Sequence, residues 1–411
     1  VPPSPAIPRR FLFLQGPPGP FFRLLGAALS ARGHAVHRLN LNGGDAHDWP
    51  RAQAWRGTAT RWPAFIARYL REQAITDLIL FGDCRPRHIA ARDAARTMGV
   101  PTHVIEEGYL RPSWLTLETD GVNGHSPLSR DPATYLAHAP APAEIAPAPV
   151  HATLAHRIRD TTAYFANMVA RAPLYPFYRS HRPGSILLEG LGWIAKHHAR
   201  PRTARQTTLA QTRIADWHAR GGRTILFPLQ LSSDYQIRAH SPFATMQQAA
   251  LHVLRSFAAH APADMALIVK EHPLDATLSL PLRTGWTHWL TAQARALDLS
   301  DRLIPIPGGD LPALCAVSHG LVTVNSTSAT VALSQGLATI ALGRAIYALP
   351  GLTHQGSLDT FWHDLPAPDG ALWDAFTGVL HRDCLIRGGL ASEGAVAMAV
   401  ENAVRKLEGK A

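Results

Sequence analysis

Two adjacent carboxylates stand where an apolar strand should be ending. The stretch "PTHVIEEGYLRPSWLTLE" puts Glu106 and Glu107 after Val104 and Ile105 and follows them with Gly108. Neighbours on an extended strand point to opposite faces, so the two acids share a side only if the turn at Gly108 reorients one of them. A carboxylate beside a second negative charge, or in a partly apolar site, holds its proton more tightly, which suits general acid/base work. The plainer reading is a pair of solvated loop glutamates balanced by Arg111.

Three further clusters follow predicted strands. In "FPLQLSSDYQIRAHSPF" a strand runs into a loop with Gln230, Asp234, Gln236, Arg238, His240 and Ser241. So many polar groups are expensive to bury without a task, although a surface loop would carry them anyway. "LIVKEHPLD" ends a strand in Lys270 and continues with His272 and Pro273. Lysine and histidine there suit a phosphate, with Pro273 fixing the turn, and Asp275 reads equally as a helix cap. In "LVTVNSTSATVALSQG", Asn325, Ser326 and Thr327 follow a strand and open a helix, whose unsatisfied N–H groups favour an anion. Capping by the same side chains is compatible with that role.

The elements that must position these groups alternate. A strand at Phe11–Leu14, a helix ending at Gly33 and a strand at Ala35–Leu41 form a βαβ unit. Its turn, Gln15 to Gly19, matches no phosphate-loop pattern, and its prolines remove N–H donors. The pattern repeats with a strand at Leu78–Phe81, a helix to Gly99 and a strand at His103–Ile105. Parallel strands place ligands beyond their carboxyl ends, where "GDCRP" and "EEGYLRP" both fall. A second α/β domain begins near Gly222, with strands expected at Thr224–Pro228, Met265–Lys270, Leu303–Pro305, Gly320–Val324 and Ala338–Leu342. A helix from about Ser392 to Glu408 follows. The expected fold is α/β, with two Rossmann-like domains, 1–220 and 221–411, facing a cleft and the terminal helix closing the second. Residues 131–151 read as a Pro/Ala-rich loop or linker, and residues 151–205 as a basic, aromatic, helical excursion of the first domain. The part of that excursion from Tyr164 to His198 also has the side chains to serve a membrane surface or lipid acceptor.

Composition bounds the partners. With 411 residues, 46% hydrophobic and 17% charged, the chain reads as globular, and three cysteines without paired spacing give neither a disulfide framework nor a zinc site. No run approaches the ~18–20 apolar residues of a spanning helix, and Val1–Arg10 lacks a signal-peptide layout, so a cytoplasmic, non-integral protein is expected. The formal charge of +10 suits polyanionic partners, but no zinc-finger, RNP or P-loop pattern points to nucleic acid.

In order along the chain, Glu106-Glu107-Gly108, Lys270-x-His272-Pro273 and Ser326-Thr327 resemble the acid-pair, HP and S-S/T series of bacterial transferases that use CMP-activated sugars. Together with "FLQGPPGPFFRLLGAAL", "FGDCRPRH", "GVNG", "YRSHRP" and "ALGRAIYALPGLTHQGSLDTFW", they resemble the capsule polysaccharide biosynthesis and export family, in its KpsS-like branch, from residue 11 to about 362. The resemblance implies a GT-B, retaining β-Kdo transferase, peripheral on the inner face of the cytoplasmic membrane of Gram-negative bacteria. It would move Kdo from CMP-β-Kdo to lyso-phosphatidylglycerol, starting a poly-Kdo linker, with no metal or other cofactor, alongside a capsule assembly complex. It casts Asp234 as nucleophile, Glu107 as base and Glu106 as its neighbour, with the two principal roles exchangeable. His272, Pro273, Lys270, Asn325, Ser326 and Thr327 would hold the CMP phosphate. Gln230, Gln236, Arg238, His240, Ser241 and Arg111 would bind the sugar. The sequence departs from the pattern in "SATVALSQG", where relatives more often have a glycine, and near "HRDCLIRGGLASEG". The alternatives are an inverting, sialyltransferase-like CMP-sugar enzyme with Glu107 as sole base and Asp234 structural, and a non-catalytic assembly or export factor.

Overall fold

The computed structural model describes residues 8–137, 153–180, 192, 195–232, 234–273, 275 and 285–409. The chain forms two compact units: Val1–Pro127 with Ala141–His181 and Gly378–Ala411, and Leu128–Pro140 with Arg182–Thr377.

The strands of the first unit are β1 (Arg10–Phe13), β2 (Ala35–Asn40), β3 (Gln53–Ala54), β4 (Asp77–Phe81), β5 (Thr102–Glu107), β6 (Trp114–Thr119) and, after the second unit, β12 (Leu385–Arg387). They form one sheet in the order β12-β6-β5-β4-β1-β2-β3. It is parallel from β3 to β5, whereas β6 runs antiparallel to β5, and β12 antiparallel to β6. The apolar runs of β1 and β4 are continuous because both faces are covered. Phe11, Phe13, Ile79 and Ile105 face one layer, and Leu12, Leu14, Leu78 and Leu80 the other.

The first of these layers includes Phe21, Leu25 and Leu29 of the helix Phe21–Ala31, together with Val396, Ala399, Ala403 and Val404 of the helix Glu393–Leu407. The terminal helix, expected to close the second domain, therefore completes the first, and β12 adds an edge strand to the same sheet. Its amphipathic stripe specified an apolar face, which either sheet could have used.

The helix Leu154–Ala170 lies against the short helix Gly43–Asp48. A Cβ on Gly43 would sit 2.3 Å from the Asn167 carbonyl, and one on Gly44 would sit 2.7 Å from the Tyr164 ring, so only glycines permit this approach. The Tyr164 hydroxyl accepts from Gln15 Nε2 at 2.7 Å and Asn42 Nδ2 at 3.0 Å and donates to Asp45 Oδ1 at 3.1 Å. Asp48, closing the short helix, accepts from the Gly19 N–H at 2.9 Å and so ties down the Gly/Pro turn.

The second unit holds β7 (Arg223–Pro228), β8 (Met265–Lys270), β9 (Leu303–Ile306), β10 (Gly320–Thr323) and β11 (Ala338–Ala341), all parallel, in the order β11-β10-β7-β8-β9. Its core packs Phe227, Leu267 and Val322 against Leu254, Phe257, Leu290 and Trp362. Residues 182–220, expected in the first domain, fall in this unit, so the 151–205 excursion is divided between the two. The helix Arg200–Ala219 buries Ala210 and Ile214 and runs directly into β7. Of the Pro/Ala-rich stretch, the helix Pro132–Leu136 is described, and residues 138–152 lie outside the described residues.

Candidate active site

Glu106 and Glu107 are the last residues of β5, not loop residues, and pair in register with Thr116 and Leu115. The alternation of the strand sends them to different partners. Glu107 Oε1 meets Arg157 Nη2 at 2.8 Å, with the side chains 37% and 30% exposed. Glu106 Oε2 accepts from Asn123 Nδ2 at 3.4 Å. Gly108 is required by space: a Cβ there would lie 2.4 Å from the Trp114 carbonyl oxygen, because β6 turns back immediately. The balancing cation is Arg157 rather than Arg111, whose Nε donates to the Gly108 carbonyl at 3.4 Å.

The loop after β6 is braced from below. The Tyr109 hydroxyl accepts from the Asn123 N–H at 2.7 Å and donates to Glu118 Oε1, while Ser126 Oγ donates to Glu118 Oε2 at 2.6 Å. Burial pushes the Glu118 carboxyl up, with the Ser126 and Tyr109 hydrogen bonds opposing. Just after β4, the fully buried Asp83 accepts from Arg92 Nη1 at 3.1 Å and lies 2.9 Å from His125 Nδ1. Burial pushes Asp83 up, but hydrogen bonds from His125 and Cys84, with the charges of His125 and Arg92, hold it below the ordinary carboxylate value. The donor atoms of Asp83, Cys84 and His125 lie within 4.8 Å of one another. Arg92 already supplies a positive charge there, and burial beside Asp83 pushes the Cys84 thiol far up. Asp83, Asn123, His125 and Arg157 were not singled out from the sequence. The strand-end position of "GDCRP" was the available signal for Asp83, and nothing local pointed to Arg157.

In the second unit the strand order reverses between β7 and β10, the crevice position where parallel sheets take ligands. Gln230 and Asn325 follow these strands and bind each other: Gln230 Nε2 donates to Asn325 Oδ1 at 2.8 Å, and the Asn325 N–H donates to Gln230 Oε1 at 3.0 Å. Asn325 Nδ2 donates to the Gln236 carbonyl at 3.0 Å. Much of their polar capacity is thus spent on bracing the strand ends. Asp234 caps the helix Tyr235–His240 through the Gln236 N–H at 2.9 Å and lies 3.4 Å from Gln230 Nε2. Arg238 lies over the Tyr235 ring, His240 is buried, and Ser241 Oγ donates to the Ile237 carbonyl at 2.5 Å.

Lys270, at the end of β8, is buried, and its ammonium donates to the Glu271 carbonyl at 3.4 Å. Burial lowers its proton affinity, which Asp310 raises and Lys196 lowers further. The His272 carbonyl accepts from Lys196 Nζ at 3.5 Å, and Pro273 follows it in the turn. Asp275 Oδ2 accepts from Ser232 Oγ at 2.5 Å and Trp286 Nε1 at 2.9 Å, and the reading of Asp275 as a helix cap falls on residues 276–284, which lie outside the described residues. Ser326 Oγ accepts from the Ser328 N–H at 3.1 Å, and the Ser326 carbonyl accepts from the Tyr347 hydroxyl at 2.6 Å. Thr327 begins the helix Ser328–Ser334 without a side-chain cap. Of the sequence-derived residues, Gln230, Asp234, Gln236 and Asn325 are brought into direct contact, and Glu107 is joined to a residue not foreseen.

These features define a two-unit α/β protein built on largely parallel sheets with polar groups at their carboxyl edges. The chain belongs to the capsule polysaccharide biosynthesis protein family, whose model matches residues 76–390. It is 33% identical over 383 residues to the capsule polysaccharide modification protein LipB of Neisseria meningitidis, covering 89% of this chain and 87% of that one. It is 30% identical over 380 residues to the capsule polysaccharide export protein KpsS of Escherichia coli, covering 90% and 94%. Among solved structures, the β-Kdo 2,7 transferase of Thermosulfurimonas dismutans KpsC aligns with 98% of this chain and 99% of its own, at 13% identity and a TM-score of 0.46. No described helix is long and apolar enough to cross a membrane.

Proposed function

We propose that this member of the capsule family is a metal-independent, retaining β-Kdo transferase that moves Kdo from CMP-β-Kdo to lyso-phosphatidylglycerol, beginning a poly-Kdo linker. The observation that carries the reading is the cluster of Gln230, Asp234 and Asn325 at the reversal of strand order, in a chain carrying the family's acid pair and HP motif. The GT-B class fits a chain of two units built on parallel strands. Peripheral attachment to the inner face of the cytoplasmic membrane follows from a lipid acceptor.

Retention requires two inversions at the anomeric carbon. In the first, an Asp234 carboxylate oxygen attacks that carbon as its bond to the CMP phosphate breaks, and the electron pair leaves on the phosphate. His272 and Lys270, with Ser326 and Thr327, meet this charge, with Asn325 and Pro273 setting the loops that carry them. In the second, Glu107 takes the proton of the acceptor hydroxyl, whose oxygen attacks the same carbon and returns the electron pair to Asp234. Arg157 orients Glu107, Glu106 shapes the field beside it, and Gln236, Arg238, His240, Ser241 and Arg111 bind the sugar's carboxylate and hydroxyls.

The cap from Asp234 to the Gln236 N–H favours one rival, an inverting CMP-sugar transferase in which Asp234 only holds its helix and Glu107 is the sole base. Intact-protein mass spectrometry after incubation with a CMP-Kdo generating system separates the two. A Kdo-sized adduct on wild type that disappears in Asp234→Asn supports double displacement. Transfer with inverted product configuration and no adduct in any variant refutes it, and an adduct lost in Glu107→Gln but kept in Asp234→Asn reverses the two roles.

A further inference from the structure

The helix Leu154–Ala170 and the turn after it have two unlike sides. Inward, Tyr164, Met168 and Tyr175 are buried, and the Tyr178 hydroxyl accepts from Gln15 Nε2 at 3.0 Å. Outward, Ile158 is 51%, Val169 42%, Leu174 50% and Phe177 50% exposed. At 3.6 residues per turn, the exposed Ala155, Ile158, Thr162, Ala166 and Val169 fall within an arc of about 80°, and Ile158 and Val169 are about 16 Å apart along the axis. An apolar stripe of this kind on an anchored helix asks for a partner.

Charge identifies the partner. Between Leu154 and Ser180 the chain carries Arg157, Arg159, Arg171 and Arg179 against a single acid, Asp160. That acid is mostly buried and lies 3.2 Å from Arg159 Nε. Arg157 is engaged by Glu107, while Arg159 and Arg179 are exposed and Arg171 half-buried. A shallow apolar stripe rimmed by arginines is the pattern of a helix lying in the headgroup region of an anionic bilayer.

We propose that this face docks the protein on an anionic phospholipid surface, with Ile158, Val169, Leu174 and Phe177 entering the acyl boundary and Arg159, Arg171 and Arg179 meeting lipid phosphates. The proposal deepens the lipid-acceptor reading and rests on it for its purpose. Arg157, next to Ile158 in sequence but on another side of the helix, holds Glu107, so the helix that meets the membrane also carries the group that positions the candidate base.

The test is flotation of the full chain with vesicles of phosphatidylcholine alone and of phosphatidylcholine with phosphatidylglycerol. Wild type is compared with Ile158→Ser/Phe177→Ser and Arg159→Gln/Arg179→Gln, each checked for an unchanged melting temperature. Wild type is expected on the phosphatidylglycerol vesicles. The apolar pair should weaken binding about 30-fold, from the loss of two half-exposed side chains. The arginine pair should weaken it about 10-fold or more and remove most of its salt dependence. Equal binding to both vesicle types, or undiminished binding by both variants, overturns the proposal. So does concentration-dependent self-association that the apolar pair abolishes in protein that ignores vesicles, which would make the face an interface between copies. Kdo transfer to a detergent-dispersed acceptor, assayed in parallel, tests the catalytic reading separately: vesicle binding without transfer by any variant leaves docking standing and removes the transferase.

Discussion

Replacing Gly108 by alanine tests whether the β5–β6 turn sets the position of the acid pair. The new Cβ would lie 2.4 Å from the Trp114 carbonyl oxygen, 2.8 Å from the Trp114 carbonyl carbon and 2.9 Å from the Leu110 carbonyl oxygen. All three are backbone atoms, so no rotamer change relieves the contact. Either the hairpin opens by several tenths of an ångström or the register beside Glu106 and Glu107 shifts. Overpacking of this kind costs about 1–3 kcal/mol, and an immobile backbone puts this site at the upper end. Gly→Ala also restricts the unfolded chain, returning about 0.4–1 kcal/mol. Gly99→Ala is the matched control. Gly99 has φ +68° and nothing within 4 Å of its would-be Cβ, so it incurs only the left-handed backbone cost of about 1–2 kcal/mol, less the same return. Urea unfolding should therefore show Gly108→Ala to be less stable than Gly99→Ala by about 1–2 kcal/mol, with transferase activity falling in the first and kept in the second. Equal midpoints, or a Gly108→Ala protein with wild-type stability, would refute the steric argument.

Three other changes have defined outcomes. Arg157→Gln removes the partner of Glu107; because the pair is about one-third exposed, stability should fall by no more than about 1 kcal/mol, while kcat drops and the thermal midpoint barely moves. Full kcat would dissociate Arg157 from the site. Tyr109→Phe takes one of its donors from Glu118, which keeps Ser126, and leaves the Asn123 N–H without its acceptor, which should cost about 2–4 kcal/mol in chemical denaturation. Burial, opposed by the Gly19 N–H and reinforced by Asp45, pushes Asp48 from 3.8 up to about 7. A carboxyl raised in this way stabilises the fold fully below its unfolded value and loses that contribution as pH rises from 3.8 towards 7. Asp48→Asn should flatten the stability profile across that interval by an amount on the order of a few kcal/mol, and urea midpoints that track wild type at every pH would contradict the assignment.

The strands were legible because β1, β4, β7 and β8 are apolar on both faces, a pattern that needs no knowledge of the partner layer. Their carboxyl ends were legible for the same reason, which placed Glu107, Asp234 and Asn325 at sheet edges. Pairing between distant segments was not. Arg157 meets Glu107 from a helix in a basic, aromatic stretch that gave no local sign of its target. The mutual bonding of Gln230 and Asn325 turns two apparent ligand groups into a brace, and hydrogen-bond satisfaction is invisible until both strand ends are placed. β12 is three residues long and antiparallel, too short for an alternation signal, so the return of the chain to the first sheet left no trace in periodicity.

That return sets an order of events during synthesis. The second unit is nearly one continuous stretch, so it can close soon after leaving the ribosome. The first cannot: Phe11, Phe13 and Leu25 emerge early, but Val396, Ala399 and Val404, which cover them, follow only after the whole second unit. At about 5–20 residues per second, the sheet waits on the order of 15–60 s with one face open. The nascent chain thus holds a finished half and an unfinished half, and Ile105 of β5, one residue before the acid pair, is covered on its apolar face only after the last helix has been made.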